Sequence, residues 1–564
     1  MTSFEWIAVL IAFHFVYGLL FMLFFKKEGI APYKAFIPFY NSVLMLRVLE
    51  RPWWWVVLFV LPIINLVMFP VLWIDLLYAY KKPKRAEHLW VILTLGLFLF
   101  TLGTNASSKR ETNRLQPEKT KTGEWVSSIV FAVVAATIVH TYFIQPYAIP
   151  TPSLERTLRV GDFLLVSKFH YGARIPTTAI AAPMMHDTVP ILKVKSYLKK
   201  PQLPYMRLPS FASVEKNDLV VFNWPADTVR QFFVKEAGVV KPIDKKSNYV
   251  KRCVGTPGDT LEIMDGFVYI NGELLELDHR ARPMYNHKVY AASGVSSRLL
   301  SQADASDFVR IFTATSLSQE QYNALIPFLM GVNQREDQTI ELYTDAEGIP
   351  IRVLQEERIA LKEVLKSEQL VNLPLDKVEW LQSQERIDSV VMDVSPKGVP
   401  GYAIFPNHPS YTWNEDNFGP IYLPQSGDIV SLDEETLPLY KRIIEVYENH
   451  DLKVENNSII IDGKAADSYQ FEKNYYWMMG DNRDHSEDSR SWGYVPEDHI
   501  LGKPVFLWMS WDNFNKGITK MKPRWERFFT TVQGPGEPQS YLSIFLIGLG
   551  GYFGYRFWRK RKKG

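Results

Sequence analysis

Four apolar stretches crowd the first quarter of the chain, at residues 4–25, 53–80, 89–102 and 126–144. Inside a bilayer no water satisfies the backbone, so an apolar run of about 20 residues spans it only as a helix. These stretches therefore constrain the fold before any other feature does. The second contains Pro62, Asn65 and Pro70, which predicts a kinked span or a re-entrant hairpin. The third is short. A fifth, at residues 541–555, is also short and carries Gly548, Gly550, Gly551 and Gly554. The first lacks a basic leader and a small-residue cleavage site and runs into Lys26 and Lys27, so it reads as an uncleaved anchor. With 16 Trp and 14% aromatic residues, the chain has material for interfacial aromatic belts.

Lysine and arginine set the orientation. Arg556, Arg559, Lys560, Arg561, Lys562 and Lys563 follow the last stretch, and Lys109, Arg110, Arg114, Lys119 and Lys121 precede the fourth. Both flanks are expected in the cytoplasm, which puts residues of about 145–540 outside it. Lys81, Lys82, Lys84 and Arg85 would be external if every stretch crossed fully. Either the second stretch turns back, or this loop breaks the rule. The expected division is a membrane region at 1–108, a basic cytoplasmic segment at 109–125, an anchor at 126–144, a β domain at 145–280 and 426–539 split by an insertion at 281–425, a transmembrane stretch at 540–557 and a basic tail at 558–564.

With 63 Lys and Arg against 61 Asp and Glu, the chain has no basic footprint for nucleic acid. Its one cysteine, Cys253, excludes an intrachain disulfide. Beyond Val160 the pattern is short β-rich runs with turns between them, including 163–166, 219–222, 260–263 and 267–270. The last precedes Asn271-Gly272, a strong hairpin signal. More helical patterning at 319–332 and 356–368 makes the insertion α+β. A faint echo relates 217–272 to 427–463, and it offers Lys441 as a counterpart of Lys251.

The chemistry concentrates at 480–493, which holds Gly480, Asp481, Arg483, His485, Ser486, Asp488 and Arg490. Cross-pairing of Asp481, Arg483, Asp488 and Arg490 would make a rigid frame that fixes Ser486. Ser153, just past the fourth apolar stretch, and Lys251, on a predicted strand, complete the parts of a Ser/Lys hydrolase. A lysine base must be neutral near pH 7. Lowering its pKa by about three units costs roughly 4 kcal/mol, which apolar burial supplies. Strand alternation puts Tyr249, Lys251 and Cys253 on one face, with weakly polar neighbours and no carboxylate. No metal-ligand spacing or phosphate-cradling loop is present.

In these residues the chain resembles the type I signal peptidases, membrane-anchored Ser/Lys proteases that remove signal peptides from exported proteins. The matching segments are 147–162, 216–222, 248–259 and 478–496. The resemblance implies a mainly β catalytic fold without cofactor or metal, signal-peptide-bearing preproteins as substrates, the lipid bilayer and the export machinery as surroundings, and a multi-pass place in the inner membrane with the catalytic domain on the periplasmic side. It implies Ser153 as nucleophile, Lys251 as general base, Thr151 as oxyanion donor beside the Ser153 N–H, Ser486 as the lysine's orienting hydroxyl, and Asp488–Arg490 with Asp481 and Arg483 as the supporting frame. Ser153 lies nine residues past the anchor, at most roughly 30 Å from the membrane. Departures from the family pattern are Thr151-Pro152 for Ser-Gly, Leu154 for Met, Arg156 for Pro and His485 for Asn. Two other readings stand beside it: a scaffold that binds signal sequences without cutting, and a Ser/Lys protease dedicated to one protein. The run 505–511 is expected either as a core strand or as an aromatic edge at the lipid interface.

Overall fold

The computed structural model describes residues 3–562 except 82–83, 111–120, 228, 232–233, 236–239, 337–338 and 457. Lys82, Arg114, Lys119 and Lys563, which bear on the expected topology, lie outside the described residues.

Two helices among the described residues are long and apolar enough to cross a membrane, Glu5–Lys27 and Lys121–Phe143. The stretch at 53–80 is broken, with Trp55–Val60 and Asn65–Tyr80 as separate helices. The break follows Pro62, where Ile63 takes a positive φ of 69°. Asp75 is buried on the second helix, and Arg51 neutralises it through Nε and Nη2 at 2.7 and 2.9 Å. The short third stretch is two helices, Ala86–Leu93 and Leu97–Thr104, bent by 115°. At the C-terminus Leu542–Arg561 forms one exposed helix whose glycines and terminal basic residues dilute its hydropathy, and it falls short of the other two.

The soluble part is β-rich. Its main sheet is antiparallel, in the order Ile144–Ala148, Asp162–Ser167, Ile500–Asp512, Leu219–Asn223, Asn248–Gly255, Tyr475–Met479 and Val495–Pro496. The aromatic run at 505–511 is therefore an inner strand, half-buried along its length. One face of the sheet packs Ile149, Leu154, Leu158, Leu164 and Leu219 together. The other packs Val220, Phe222, Cys253, Met478 and Trp492. Asn271 and Gly272, with φ of 54° and 85°, close the hairpin between Phe267–Ile270 and Glu273–Leu274.

Between Met284 and Met392 the chain builds two further sheets. One runs Glu368–Pro374, Met284–Tyr290, Ser389–Met392, and the other Gly331–Gln334, Ile340–Thr344, Arg310–Ala314, Lys362–Val364. Phe418–Tyr422 returns to pair with Thr260–Met264. Two local readings are corrected. Residues 356–368 are not helical: the helix Ile351–Glu356 ends where they begin, and Lys362–Val364 is a strand that finds its partner in Arg310–Ala314. In 319–332 only Gln319–Leu325 is α-helix, started by a Ser318/Gln321 capping box, and a strand begins at Gly331.

Candidate active site

Ser153 sits in the loop that joins the first two strands of the main sheet, and is 8% exposed. Leu154 and Leu158 fix that loop by burying their side chains in the core beneath it. The loop is also held from above: Asn482 donates its backbone N–H to the Ser153 carbonyl and its Nδ2 to the Pro152 carbonyl, both at 3.1 Å. Ser153 N–H donates to no acceptor among the described residues. Thr151, Ser153 and Lys251 line one cavity of about 210 Å³, with Tyr249 and His485 on its wall.

Lys251 lies at the centre of Asn248–Gly255, opposite Val220, and is 2% exposed. Its Nζ donates to Ser486 Oγ at 2.9 Å and stands 5.9 Å from the Tyr249 ring centroid. Burial pushes its pKa down from 10.5 to about 8. The carboxylates of Asp488, Glu487 and Asp481 oppose that shift and Arg490 reinforces it. The expected carboxylate-free surroundings are thus corrected: negative charge is near, and most of it is neutralised before it can hold a proton on the lysine. Asp488 accepts from Arg490 Nε at 3.0 Å and Nη2 at 2.9 Å, and from the Gly480 N–H. Asp488 and Asp481 are fully buried, which alone would raise their carboxyl pKa values, but Arg490 beside the first and Arg252 beside the second hold both below the usual range.

The second pair is not the expected one. Asp481 binds Arg252, Nε to Oδ1 at 2.7 Å and Nη2 to Oδ2 at 2.6 Å, and also accepts from Thr157 Oγ1 at 2.7 Å. One carboxylate therefore ties the lysine strand to the serine loop. Arg483 is absent from that pair. It lies over the Tyr285 ring at 5.8 Å, and its carbonyl accepts from Arg490. Arg252 was missed by the sequence reading, although a signal existed: alternation puts it opposite Lys251, inside the sheet's core, where a guanidinium requires a carboxylate. Lys441 is corrected as well. It is exposed on the helix Leu437–Arg442, because its stretch forms a helix where the echo required a strand.

Gly480 is the pivot of the assembly. A Cβ there would stand 2.2 Å from Ser486 Oγ and 2.5 Å from the Ser153 carbonyl oxygen. No residue with a side chain lets these two segments approach so closely. A buried lysine of lowered pKa, one hydroxyl partner, and a serine lining the same cavity make an arrangement able to take a proton from a hydroxyl.

The Signal peptidase, peptidase S26 family matches residues 122–336 and 465–511, and a family of unknown function matches 33–109. A Signal peptidase I of Buchnera aphidicola subsp. Schizaphis graminum is 31% identical over 388 residues, 66% of this chain and 71% of the relative. One of Haemophilus influenzae is 22% identical over 440 residues, 76% of this chain and 80% of the relative. For one of Rickettsia massiliae the match is 25% over 158 residues, and the chain spans 46% of that relative's length.

Proposed function

This chain belongs to the signal peptidase I family and is a membrane-anchored endopeptidase that removes signal peptides from preproteins, and we propose that it does so with Ser153 as nucleophile and Lys251 as general base. The observation that carries the assignment is the 2%-exposed Lys251, its pKa lowered to about 8 and its Nζ bonded to the Ser486 hydroxyl, in the cavity that Ser153 lines. In this mechanism neutral Lys251 takes the Ser153 Oγ proton as Oγ attacks the scissile carbonyl carbon. Negative charge on the carbonyl oxygen is met by the Ser153 N–H and the Thr151 hydroxyl. Protonated Lys251 returns the proton to the departing amine, leaving an acyl-Ser153. Lys251 then deprotonates a water that hydrolyses the ester. Ser486 orients the lysine, and Asp488–Arg490 and Asp481–Arg252 hold the frame without supplying a proton acceptor.

The finer features belong to the same proposal. The catalytic domain lies on the extracytoplasmic face of the inner membrane, with Lys121–Phe143 as its anchor and Leu542–Arg561 as a second crossing. An extended peptide adds as a strand beside the site, so its alternate side chains at −1 and −3 point into the protein together, and small residues are read there. The test is preprotein cleavage by detergent-solubilised protein. Ser153→Ala and Lys251→Ala reduce it to near background, Lys441→Ala leaves it unchanged, and the wild-type rate rises with pH through about 8 as Lys251 loses its proton. Full activity in Lys251→Ala refutes the assignment.

A further inference from the structure

The Ser486 turn is held from outside the main sheet, by the segment between Met284 and Met392. Met284 N–H donates to the Asp481 carbonyl at 2.9 Å, and Met284 bridges Asn482. The Tyr285 ring lies under the Arg483 guanidinium, and Asn286 N–H donates to Asp484 Oδ2 at 2.6 Å. Three successive residues of one strand thus engage four successive residues of the turn that ends at Ser486.

A second contact comes from the acidic turn at 304–307. Arg156 Nη1 pairs with Asp304 Oδ1 at 3.1 Å, and Nη2 donates to the Asp304 carbonyl. His485 Nδ1 stands 3.3 Å from Asp307 Oδ2. One short turn therefore grips both loops of the site, three residues past Ser153 on one side and one residue before Ser486 on the other. Both gripping points are departures from the family pattern, Arg156 for Pro and His485 for Asn. Arg156 holds its grip with φ at 69°, a setting unfavourable for a residue with a Cβ.

The turn is rigid for reasons of its own. It ends the helix Ser297–Gln302, with Ala303 and Ala305 buried beside Leu300. Ser306 exchanges both backbone hydrogen bonds with Asn372, and Asn372 Nδ2 donates to Asn286 Oδ1 at 3.2 Å. The two contacts are thereby joined: Asp484, Asn286, Asn372, Ser306, Asp307 and His485 close a ring around the turn before Ser486.

We propose that the turn Asp304–Asp307 is a clamp that positions the catalytic loops, holding the Ser153 loop and the Ser486 turn in fixed relation through Arg156 and His485. These four are positioning residues. Asp304 and Asp307 have side chains 47% exposed, and such pairs add little to global stability. Their effect falls on the relative placement of two loops, to which the reaction is far more sensitive than the fold is. The inference rests on the Ser153–Lys251 assignment.

The test uses the full chain in detergent with a preprotein, comparing wild type with Asp304→Ala/Asp307→Ala. The expected result is a fall in kcat of about tenfold, up to about fivefold from each partly exposed pair, with KM within twofold. The rate's rise with pH should also move upward, because a loosened Ser486 turn admits water to Lys251, around which Asp488, Glu487, Asp481, Arg490 and Tyr249 are unchanged. A merely structural contact moves neither readout. Arg156→Asp should show a similar loss, and Arg156→Asp/Asp304→Arg should recover it to within about twofold. Wild-type kcat with an unmoved pH limb in the double alanine variant overturns the clamp and leaves the dyad standing. A loss wholly in KM overturns it as well. Should the double alanine variant lack a thermal transition, the swapped pair decides: recovery supports the clamp, and no recovery overturns it. Full activity in Lys251→Ala overturns the clamp and the dyad together.

Discussion

Gly480→Ala adds one methyl group at the point where the two catalytic segments meet. The new Cβ would lie 2.2 Å from Ser486 Oγ, 2.7 Å from Ser486 Cβ and 2.5 Å from the Ser153 carbonyl oxygen. Carbon–oxygen contacts rarely fall below about 3.2 Å, so relief takes a movement of about 1 Å. The Ser153 carbonyl cannot retreat alone, since Asn482 holds it and Leu154 anchors the loop from below. Ser486 is bonded to Lys251, so its retreat withdraws the hydroxyl that orients the base. Overpacking of this kind costs about 1–3 kcal/mol of stability, whereas 1 Å of misplacement at reacting groups costs on the order of 100-fold in rate. Activity should therefore collapse while the fold survives. The assay is kcat at saturating preprotein, with thermal unfolding measured on the same sample. A folded Gly480→Ala enzyme within about threefold of wild-type kcat would refute the claim that this contact sets the catalytic geometry.

Lys251→Met tests the buried amine through stability instead of rate. Native Lys251 holds its proton less tightly than the unfolded chain, with a pKa of about 8 against 10.5, so unfolding takes up a proton between those values and stability rises with pH across that window. Below about pH 8 the buried ammonium costs roughly 3 kcal/mol. The Met variant should then be more stable than wild type at pH 6, by an advantage that shrinks between pH 8 and 10.5. Thermal unfolding against pH checks it, and a pH-independent difference would count against the lowered pKa. Asp488→Ala leaves the buried Arg490 without its carboxylate and the Gly480 N–H without its acceptor. Chemical denaturation should give a loss of about 3–5 kcal/mol, and a loss under 1 kcal/mol would show that Arg490 finds another anion.

Much of this protein was legible along the chain. Long apolar runs favour helices, and the two long apolar helices at 5–27 and 121–143 follow the runs expected at 4–25 and 126–144. Alternating residues around Lys251 marked one strand, and Asn271-Gly272 marked the separate hairpin that follows Phe267–Ile270, because both depend on backbone geometry over a few residues. Ser153, Lys251, Ser486 and Asp488 were picked out differently, through the resemblance of four short segments to the type I signal peptidases.

Other features depend on which segments meet. Asp481 had Arg483 two residues away and pairs with Arg252, 229 positions distant, because the sheet brings the lysine strand under the turn and carries Arg483 toward Tyr285. Residues 362–364 have no alternation strong enough to declare a strand, and they become one by pairing with Arg310–Ala314. Lys441 and Lys251 sit in similar words of sequence, yet one lies exposed on a helix and the other is buried on a central strand against the Ser486 hydroxyl. Arg156 and His485 read in sequence as departures from a pattern, and the structure turns both toward one acidic turn. Local order follows from periodicity and turn chemistry, which act between neighbours. Burial, and with it the partner a charge selects and the proton a lysine gives up, is a property of the packed whole, because desolvation depends on every segment that closes over the group.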